Sequence, residues 1–456
     1  DTPYGQHGRV HQFALAYLFT ASTDLYSCPL AMTDGAASAL LAARNEALIA
    51  RALPHLTSRD PREFWTSGQW MTEAIGGSDV GQTETVARHD GRAWRLYGHK
   101  WFASAVNSRI ALTLARPEGN PPGGKGLALF YVETRDGDRL AGGMRIDRLK
   151  GKLGTRKLPT AELTLDGVRA ELVAGPRDGV RRIAPMLNVT RAWNTVSAAA
   201  FMRRGLALAR DYARRRVAFG ATLADHPLHV DTLAGLQAEF EGAFHLAMFI
   251  AELLGRIEHE RASDPQQRVH RALTPIAKLL SGRQVVTVMS EVIEAFGGAG
   301  YVEDTGLPAL LRDAHVLPIW EGTTNVLALD ALRALADEET RLAVRREAAL
   351  LLNSVRSRDL LALSARVEGV LDQAEAWRQQ AIAAGRAALE AGARRYAMTL
   401  GRAFELALLL RHAQRVLDEQ GDRCSCAAAN RFAAAGISLL HAADPTESRA
   451  LRRGGD

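Results

Sequence analysis

The feature that most limits how this chain can fold is a change of apolar period along it. From about Gly68 to Ala174 it runs in short alternating stretches, WRLYG, IALTLAR, LALFYVET and AELTLDGV, separated by Gly, Pro, Asn and Asp. Period-two alternation sends successive side chains to opposite faces, so this segment predicts a β domain. PEGNPPGGKG at 117–126 is its clearest loop, because prolines and glycines interrupt a hydrogen-bonded ladder. Before it, HQFALAYLFT and ASALLAARNEALIARALPHL carry helical spacing, broken at Pro29 and at the Asp34-Gly35 turn signal. From about Pro185 onward, AAAFMRRGLALARDYARRRVAFG, LAGLQAEFEGAFHLAMFIAELLGRIEHE and TPIAKLLSGRQVVTVMSEVIEAFGG return to that spacing and are long enough to build a bundle. AFHLAMFIAELLG is apolar on more than one face, which requires burial on both sides, in a bundle or at a subunit contact. The expected class is α+β, mainly α. Residues 1–67 read as a partial N-terminal helical domain, 68–175 as a middle β domain, 176–335 as a C-terminal helical bundle and 336–456 as a helical C-terminal extension with a frayed tail, ESRALRRGGD.

Composition narrows the function classes. The chain has no stretch of about 18 apolar residues free of charge, which argues against a membrane span. Its opening, Asp1-Thr2-Pro3, lacks the basic and apolar regions of a secretory signal and reads as processed or truncated. Cys28, Cys424 and Cys426 are too few for a disulfide framework and fit a reducing cytoplasm. Cys424-Ser425-Cys426 has no companion Cys or His cluster at ligand spacing, so no metal is expected. A net charge of +6 raises the question of a polyanionic partner, such as nucleic acid, a nucleotide or the phosphates of coenzyme A. Lysine, however, stands only at 100, 125, 150, 152, 157 and 278, and the many arginines are interleaved with acids. Residues 336–456 carry only about two more basic than acidic side chains, whereas a surface that tracks DNA phosphates concentrates charge.

Four segments can carry chemistry. MTEAIGGSDV, 71–80, is a polar loop in which backbone N–H groups beside Gly76 and Gly77 can approach an anion or a polar ring edge, with Thr72 and Ser78 as donors. Alone, it reads as a turn with a helix cap. GHKWFASAVNS, 98–108, puts two aromatics beside small hydroxyl residues at a strand end; one ring can cover a flat cofactor, though strand aromatics are mostly core. RRRVAFGATL, 214–223, follows a helix, and Arg216 can pair with a pyrophosphate or simply complement the helix dipole. The fourth segment, EAFGGAGYVEDTGLPALLRDAHVLPIWEGTTNVLALDALR, joins a glycine turn at 297–300 to an acid, Glu321, held between Trp320 and Gly322. A carboxylate in apolar company has a raised pKa and can serve as a general base, although, taken alone, a helix-capping Glu is the plainer reading.

Taken together and in this order, the four segments resemble the acyl-CoA dehydrogenase family over residues 10 to 335. Within that family the texture is similar to the bacterial alkylation-response flavoproteins of AidB type, which share the MTE-x-x-GGSDV form, GHKWF-x-S, the EAFGG turn, IWEG-x-x-N and a C-terminal helical extension. The resemblance implies an N-terminal helical domain, shorter here than in the family, then a central β domain and a C-terminal four-helix bundle, with FAD between the last two. Met71, Thr72, Gly77 and Ser78 would contact the flavin or its phosphates, and Phe102 and Ser104 would flank its ring. Arg216, with Phe219 beside it, would bind the FAD pyrophosphate of a neighbouring subunit. Gly297 and Gly298 would let the backbone approach the cofactor, and Thr323 and Asn325 would touch the flavin side of the pocket. Glu294 stands where many members have Gln, which weakens its claim to a bond with FAD.

The implied reaction is α,β-dehydrogenation of an acyl-CoA thioester in fatty-acid metabolism. Glu321 would remove the α proton, the β hydride would pass to flavin N5, and Arg191 would anchor substrate. An intrahelical ion pair explains Arg191 equally well. A homotetramer and an electron-transfer flavoprotein or similar acceptor follow from the same resemblance. Two alternatives stand beside it. One is a DNA-associated flavoprotein of the alkylation response with weak dehydrogenase activity; the other is a member that oxidises a nitroalkane or an amine, although those branches often replace the Glu of the Trp-Glu-Gly motif.

Overall fold

A computed structural model describes residues 3–441 and 445–452. Asp1-Thr2, at the start read as processed, and 453–456, at the end of the expected frayed tail, lie outside the described residues. The chain opens with helices α1 (Gly8–Thr20), α2 (Ser27–Ala43) and α3 (Glu46–Leu56). Strands follow: β1 (Ser67–Trp70), β2 (Val86–His89), β3 (Trp94–Ser104), β4 (Ile110–Pro117), β5 (Ala128–Glu133), the short β6 (Arg135–Asp136) and β7 (Arg139–Leu140), β8 (Met144–Leu149) and β9 (Thr160–Leu172). Helices resume with α4 (Gly179–Arg182) and α5 (Ala184–Arg215), and a hairpin of β10 (Val217–Ala218) and β11 (Ala221–Thr222) leads to α6 (Pro227–Glu258) and α7 (Asp264–Ala295). Then come α8 (Gly298–Tyr301), α9 (Leu307–Ala314), α10 (Thr324–Ala334), α11 (Glu338–Leu352), α12 (Arg358–Ala383), α13 (Arg386–Gln420), α14 (Cys424–Ala434) and α15 (Pro445–Arg452). The chain divides into two compact units, one of Ser22–Trp193 and one of the residues up to Ala21 with those from Asn194 onward.

In the Ser22–Trp193 unit, β4 pairs with β2 and β5, β2 with β3, β3 with β9, and β9 with β5, so the pairing closes on itself as a barrel. Strand β1 adds to β4 in parallel, and β8 adds to β9. The interior is filled by Trp70, Leu96, Phe130, Val132, Leu163 and Val168 among many alanines. The helical half of this unit corrects one expectation. α2 runs unbroken through Pro29, Asp34 and Gly35. Pro29 occupies the first turn, where no helical partner awaits its missing N–H. At Gly35 an added Cβ would stand 2.6 Å from Met186 Cγ, so this glycine permits close packing rather than a turn.

In the other unit, α6 packs against α7 on one side and against α13 and α14 on another. The two-sided burial expected of AFHLAMFIAELLG is therefore met within its own chain, by α7 and by the C-terminal extension. Gly242 lets α14 approach, since a Cβ there would lie 2.9 Å from Phe432 Cε2. A buried polar network ties these helices together. The Arg402 guanidinium donates to both carboxylate oxygens of Glu239, at 2.9 and 2.8 Å, and lies 4.3 Å from the Phe432 ring centroid. Gln284 Nε2 donates to Glu239 and to the fully buried Glu405, at 3.0 Å each.

Burial, opposed by Arg402 and reinforced by Glu239, pushes the Glu405 carboxyl well above the usual carboxylate range. A carboxyl raised on folding favours the folded state at low pH, and this contribution fades as pH climbs from the unfolded value towards the folded one. Glu405→Gln is therefore expected to raise Tm at pH 8 by about 3 °C and by less at pH 5. A shift that is equal at the two pH values, by differential scanning fluorimetry, would contradict the assignment.

Candidate functional site

The loop after β1 is built around a buried carboxylate that the sequence reading did not single out. Glu73 accepts from Lys100 Nζ at 2.6 Å, from the Thr85 hydroxyl at 2.5 Å and from the Glu84 amide at 2.7 Å. Lys100 is wholly buried on β3 and also donates to the Leu114 carbonyl of β4 at 2.9 Å. Burial opposes ionisation of Glu73, but the Lys100 ammonium and the Thr85 and Glu84 donors outweigh it and hold its carboxyl below the usual range. This pair ties MTEAIGG to HKWF, and Trp101 N donates to Thr72 O at 2.9 Å beside it.

Met71, Thr72, Gly77, Ser78, Phe102 and Ser104 thus lie on β3 and on the loop after β1 that is tied to it. Met71, Thr72, Phe102 and Ser104 are half-buried, while Gly77 and Ser78 are exposed. At Gly77 a Cβ would stand 2.6 Å from Thr72 Oγ1, so only glycine keeps that hydroxyl where it is. Ser104 Oγ pairs with Thr160 Oγ1 at 3.1 Å, which in turn accepts from Lys152 at 3.0 Å. Trp101 is 44% exposed beneath the Lys150 ammonium, which stands 3.5 Å from its ring centroid. Arg191 is half-buried on α5 in this same unit.

The remaining candidates belong to the other unit and form two groups. Tyr212 of α5 and Phe296 at the end of α7 lie 4.6 Å apart by ring centroids, which brings the Arg216 end of α5 beside Glu294, Gly297 and Gly298. Gly300 closes the glycine turn onto α7, since a Cβ there would meet Ile293 O at 2.0 Å. A cavity of about 460 Å³, lined by Arg204, Tyr212, Phe296, Ala299 and Leu310 among others, borders this turn. Phe219, in the β10–β11 hairpin, is fully exposed with φ 50°.

The second group is the turn before α10. Glu321 is half-buried with φ 60°, and Gly322 follows with φ 104°. Two buried donors hold the ends of this turn: Asn194 Nδ2 reaches Leu317 O at 3.1 Å, and Lys278 Nζ reaches Gly322 O at 2.6 Å. Beside the acid, Trp320 Nε1 is buried without a hydrogen-bond partner. Thr323 and Asn325 are exposed at the start of α10. Lys278 and Glu294 stand 16 residues apart on α7, roughly 24 Å of helix, so Glu321 and the Gly297 turn do not share one locus.

A half-buried acid on a left-handed turn offers one carboxylate, suited to moving a single proton. Among the described residues, no three His, Cys, Asp or Glu side chains converge as a metal centre would, and no helix is long and apolar enough to cross a membrane. Cys28, Cys424 and Cys426 are free thiols.

Comparison with known proteins places these features in a family. Residues 68–168 match the acyl-CoA dehydrogenase middle domain, and 177–336 match the acyl-CoA dehydrogenase C-terminal domain. Acyl-CoA dehydrogenase family member 11 of Caenorhabditis elegans is 45% identical over 420 residues, which cover 89% of this chain and 68% of that protein. The AidB protein of Escherichia coli (strain K12) is more distant, 34% identical over 319 residues, which cover 68% of this chain and 57% of that protein. The crystal structure of C. elegans ACDH-11 in complex with C11-CoA superposes with a TM-score of 0.93 at 41% identity, covering 98% of this chain and 78% of that one. With both domain matches in chain order and a relative this similar over most of its length, the chain belongs to the acyl-CoA dehydrogenase family.

Proposed function

We propose that the protein binds FAD and dehydrogenates an acyl-CoA thioester between its α and β carbons, with Glu321 as the base. The observation that carries this reading is the Glu321 turn: an acid in left-handed backbone, gripped at Leu317 and Gly322 by buried donors, within the matched C-terminal domain. Holding a base in one geometry is what proton abstraction from carbon requires, because misplacement by an ångström costs rate steeply. The C11-CoA in the solved C. elegans relative supports an acyl-CoA as the ligand class.

The residues present fit the cofactor. Gly77 cannot carry a Cβ without displacing Thr72, exposed Ser78 offers a donor, and Trp101 and Phe102 offer ring faces on the strand tied to that loop. Met71, Thr72, Gly77, Ser78, Phe102 and Ser104 would hold the flavin side, with Thr323 and Asn325 beside the base. FAD, when bound, supplies the acceptor for the β hydride. Arg191 would anchor substrate. Arg216 and Phe219 would reach the cofactor of a neighbouring subunit in a homotetramer, a role supported by the complete exposure of Phe219. Gly297 and Gly298 would let the backbone close on the cofactor, with Glu294 beside them. An electron-transfer flavoprotein or similar carrier would take the electrons, in a cytoplasmic setting that the three free thiols fit. The finer AidB-type placement, with its DNA association, draws support from the 34% match alone.

The test is an anaerobic screen of flavin bleaching with short, eleven-carbon, branched and aromatic acyl-CoAs. Purified protein is expected to be yellow and to bleach with at least one of them. Protein that stays colourless after flavin reconstitution would overturn the assignment. A salt-dependent shift of duplex DNA, measured beside it, would move the reading to the AidB type.

A further inference from the structure

Three residues shape the turn that carries Glu321: Lys278, Gly282 and Asn194. Residues 317–322 lie across one face of α7, on which Lys278 and Gly282 stand one helical turn apart. Lys278 is wholly buried and donates to Gly322 O at 2.6 Å. At Gly282 a Cβ would fall 3.2 Å from Leu317 O and from the N and Cα of Pro318, so this glycine lets the chain lie directly on the helix. From α5, wholly buried Asn194 donates to Leu317 O at 3.1 Å. Between the two anchored carbonyls stands Glu321 at φ 60°, a conformation that is strained for a non-glycine residue and persists only where the surroundings impose it.

We propose that Lys278 is a positioning residue for the base. Its ammonium fixes the Gly322 carbonyl, Asn194 fixes Leu317, and Gly282 provides the floor, so that Glu321 is held in its left-handed turn and its carboxylate is aimed. Lysine suits this task because it delivers a compact donor on a thin stem through a packed interior, where a planar guanidinium needs more room and more acceptors. The inference rests on the reading of Glu321 as the base.

The test uses the full, flavin-loaded chain with an acyl-CoA that bleaches it. Lys278→Met, which keeps stem length and loses the donor, is expected to slow bleaching at saturating acyl-CoA about 100-fold. Half-saturation and flavin content should stay within about two-fold of wild type, since a mispositioned base affects kcat rather than binding. Lys278→Gln, which restores an N–H donor, is expected to recover about ten-fold of that loss. Gly282→Ala, which favours the helix while nudging the floor by a few tenths of an ångström, is expected to slow bleaching about three-fold and serves if Lys278→Met does not fold. A wild-type rate in Lys278→Met, or equal losses in the Met and Gln variants accompanied by loss of flavin, would overturn the proposal. If Lys278→Met does not fold, an unchanged rate in Gly282→Ala would do so. Glu321→Gln, run beside them, separates the two ideas. If it is inactive while Lys278→Met is normal, only the positioning role falls; if it keeps the full rate, the base assignment falls and takes the positioning role with it.

Discussion

Glu321→Gln is expected to leave the protein yellow and folded but to slow its anaerobic bleaching by acyl-CoA about 10²–10⁴-fold, the range that general-base removal produces. The amide keeps the shape of the side chain and cannot accept the α proton. The backbone of the turn should hold, because Asn194 and Lys278 anchor the carbonyls of Leu317 and Gly322. The measurement is a stopped-flow trace of flavin absorbance at saturating ligand, with thermal melts of both proteins. Wild-type bleaching in the variant would remove Glu321 from the mechanism. A variant that loses its flavin would show instead that the carboxylate supports the cofactor.

The second large effect belongs to the barrel. Lys100→Met removes one partner of a buried ion pair whose carboxylate, Glu73, is 3% exposed. Leaving that charge uncompensated costs about 3–5 kcal/mol, or about 10 °C of Tm for a unit of this size. The dependence on pH gives the assignment its signature. In the wild type the Glu73 carboxyl is held below the usual range, so its contribution is present above the unfolded pKa of about 4.5 and is lost as pH falls through the lower folded value. In Lys100→Met nothing remains to offset its burial, its carboxyl rises, and the stability deficit should shrink from pH 8 to pH 5. A deficit that is constant across that range, or Tm unchanged, would show that the pair does not hold the loop. Because Lys100 joins Glu73 to Leu114 O, the variant is also expected to bind flavin more weakly.

How much of this was legible beforehand differs by feature. The four segments were visible because each is written in short runs of neighbouring residues, and the acid between Trp320 and Gly322 could be named without knowing what surrounds it. Glu73 and Lys100 lie inside two of those segments and still escaped notice, since neither shows its partner 27 positions away. A signal was available: of six lysines in a chain whose other cations are all arginine, Lys100 and Lys278 alone stand inside the apolar stretches GHKWF and PIAKLL. A lone ammonium in such a stretch needs buried acceptors. Pro29 and Gly35 were misread for the opposite reason, because their local meaning as breakers was overridden by first-turn placement and by the packing of Met186.

The sequence by itself determined the change from helices to strands and back, and it put an acid at 321 between Trp320 and Gly322, since each depends on periodicity or on neighbours a few residues apart. Only the tertiary structure decided that the middle strands close into a barrel, that α6 is covered by α7 and by the chain's own extension, and that Glu73 meets Lys100 while Lys278 meets Gly322. Those outcomes depend on which distant groups share a dry interior. There an unpaired charge or donor is costly, and only the folded chain determines who its partner is.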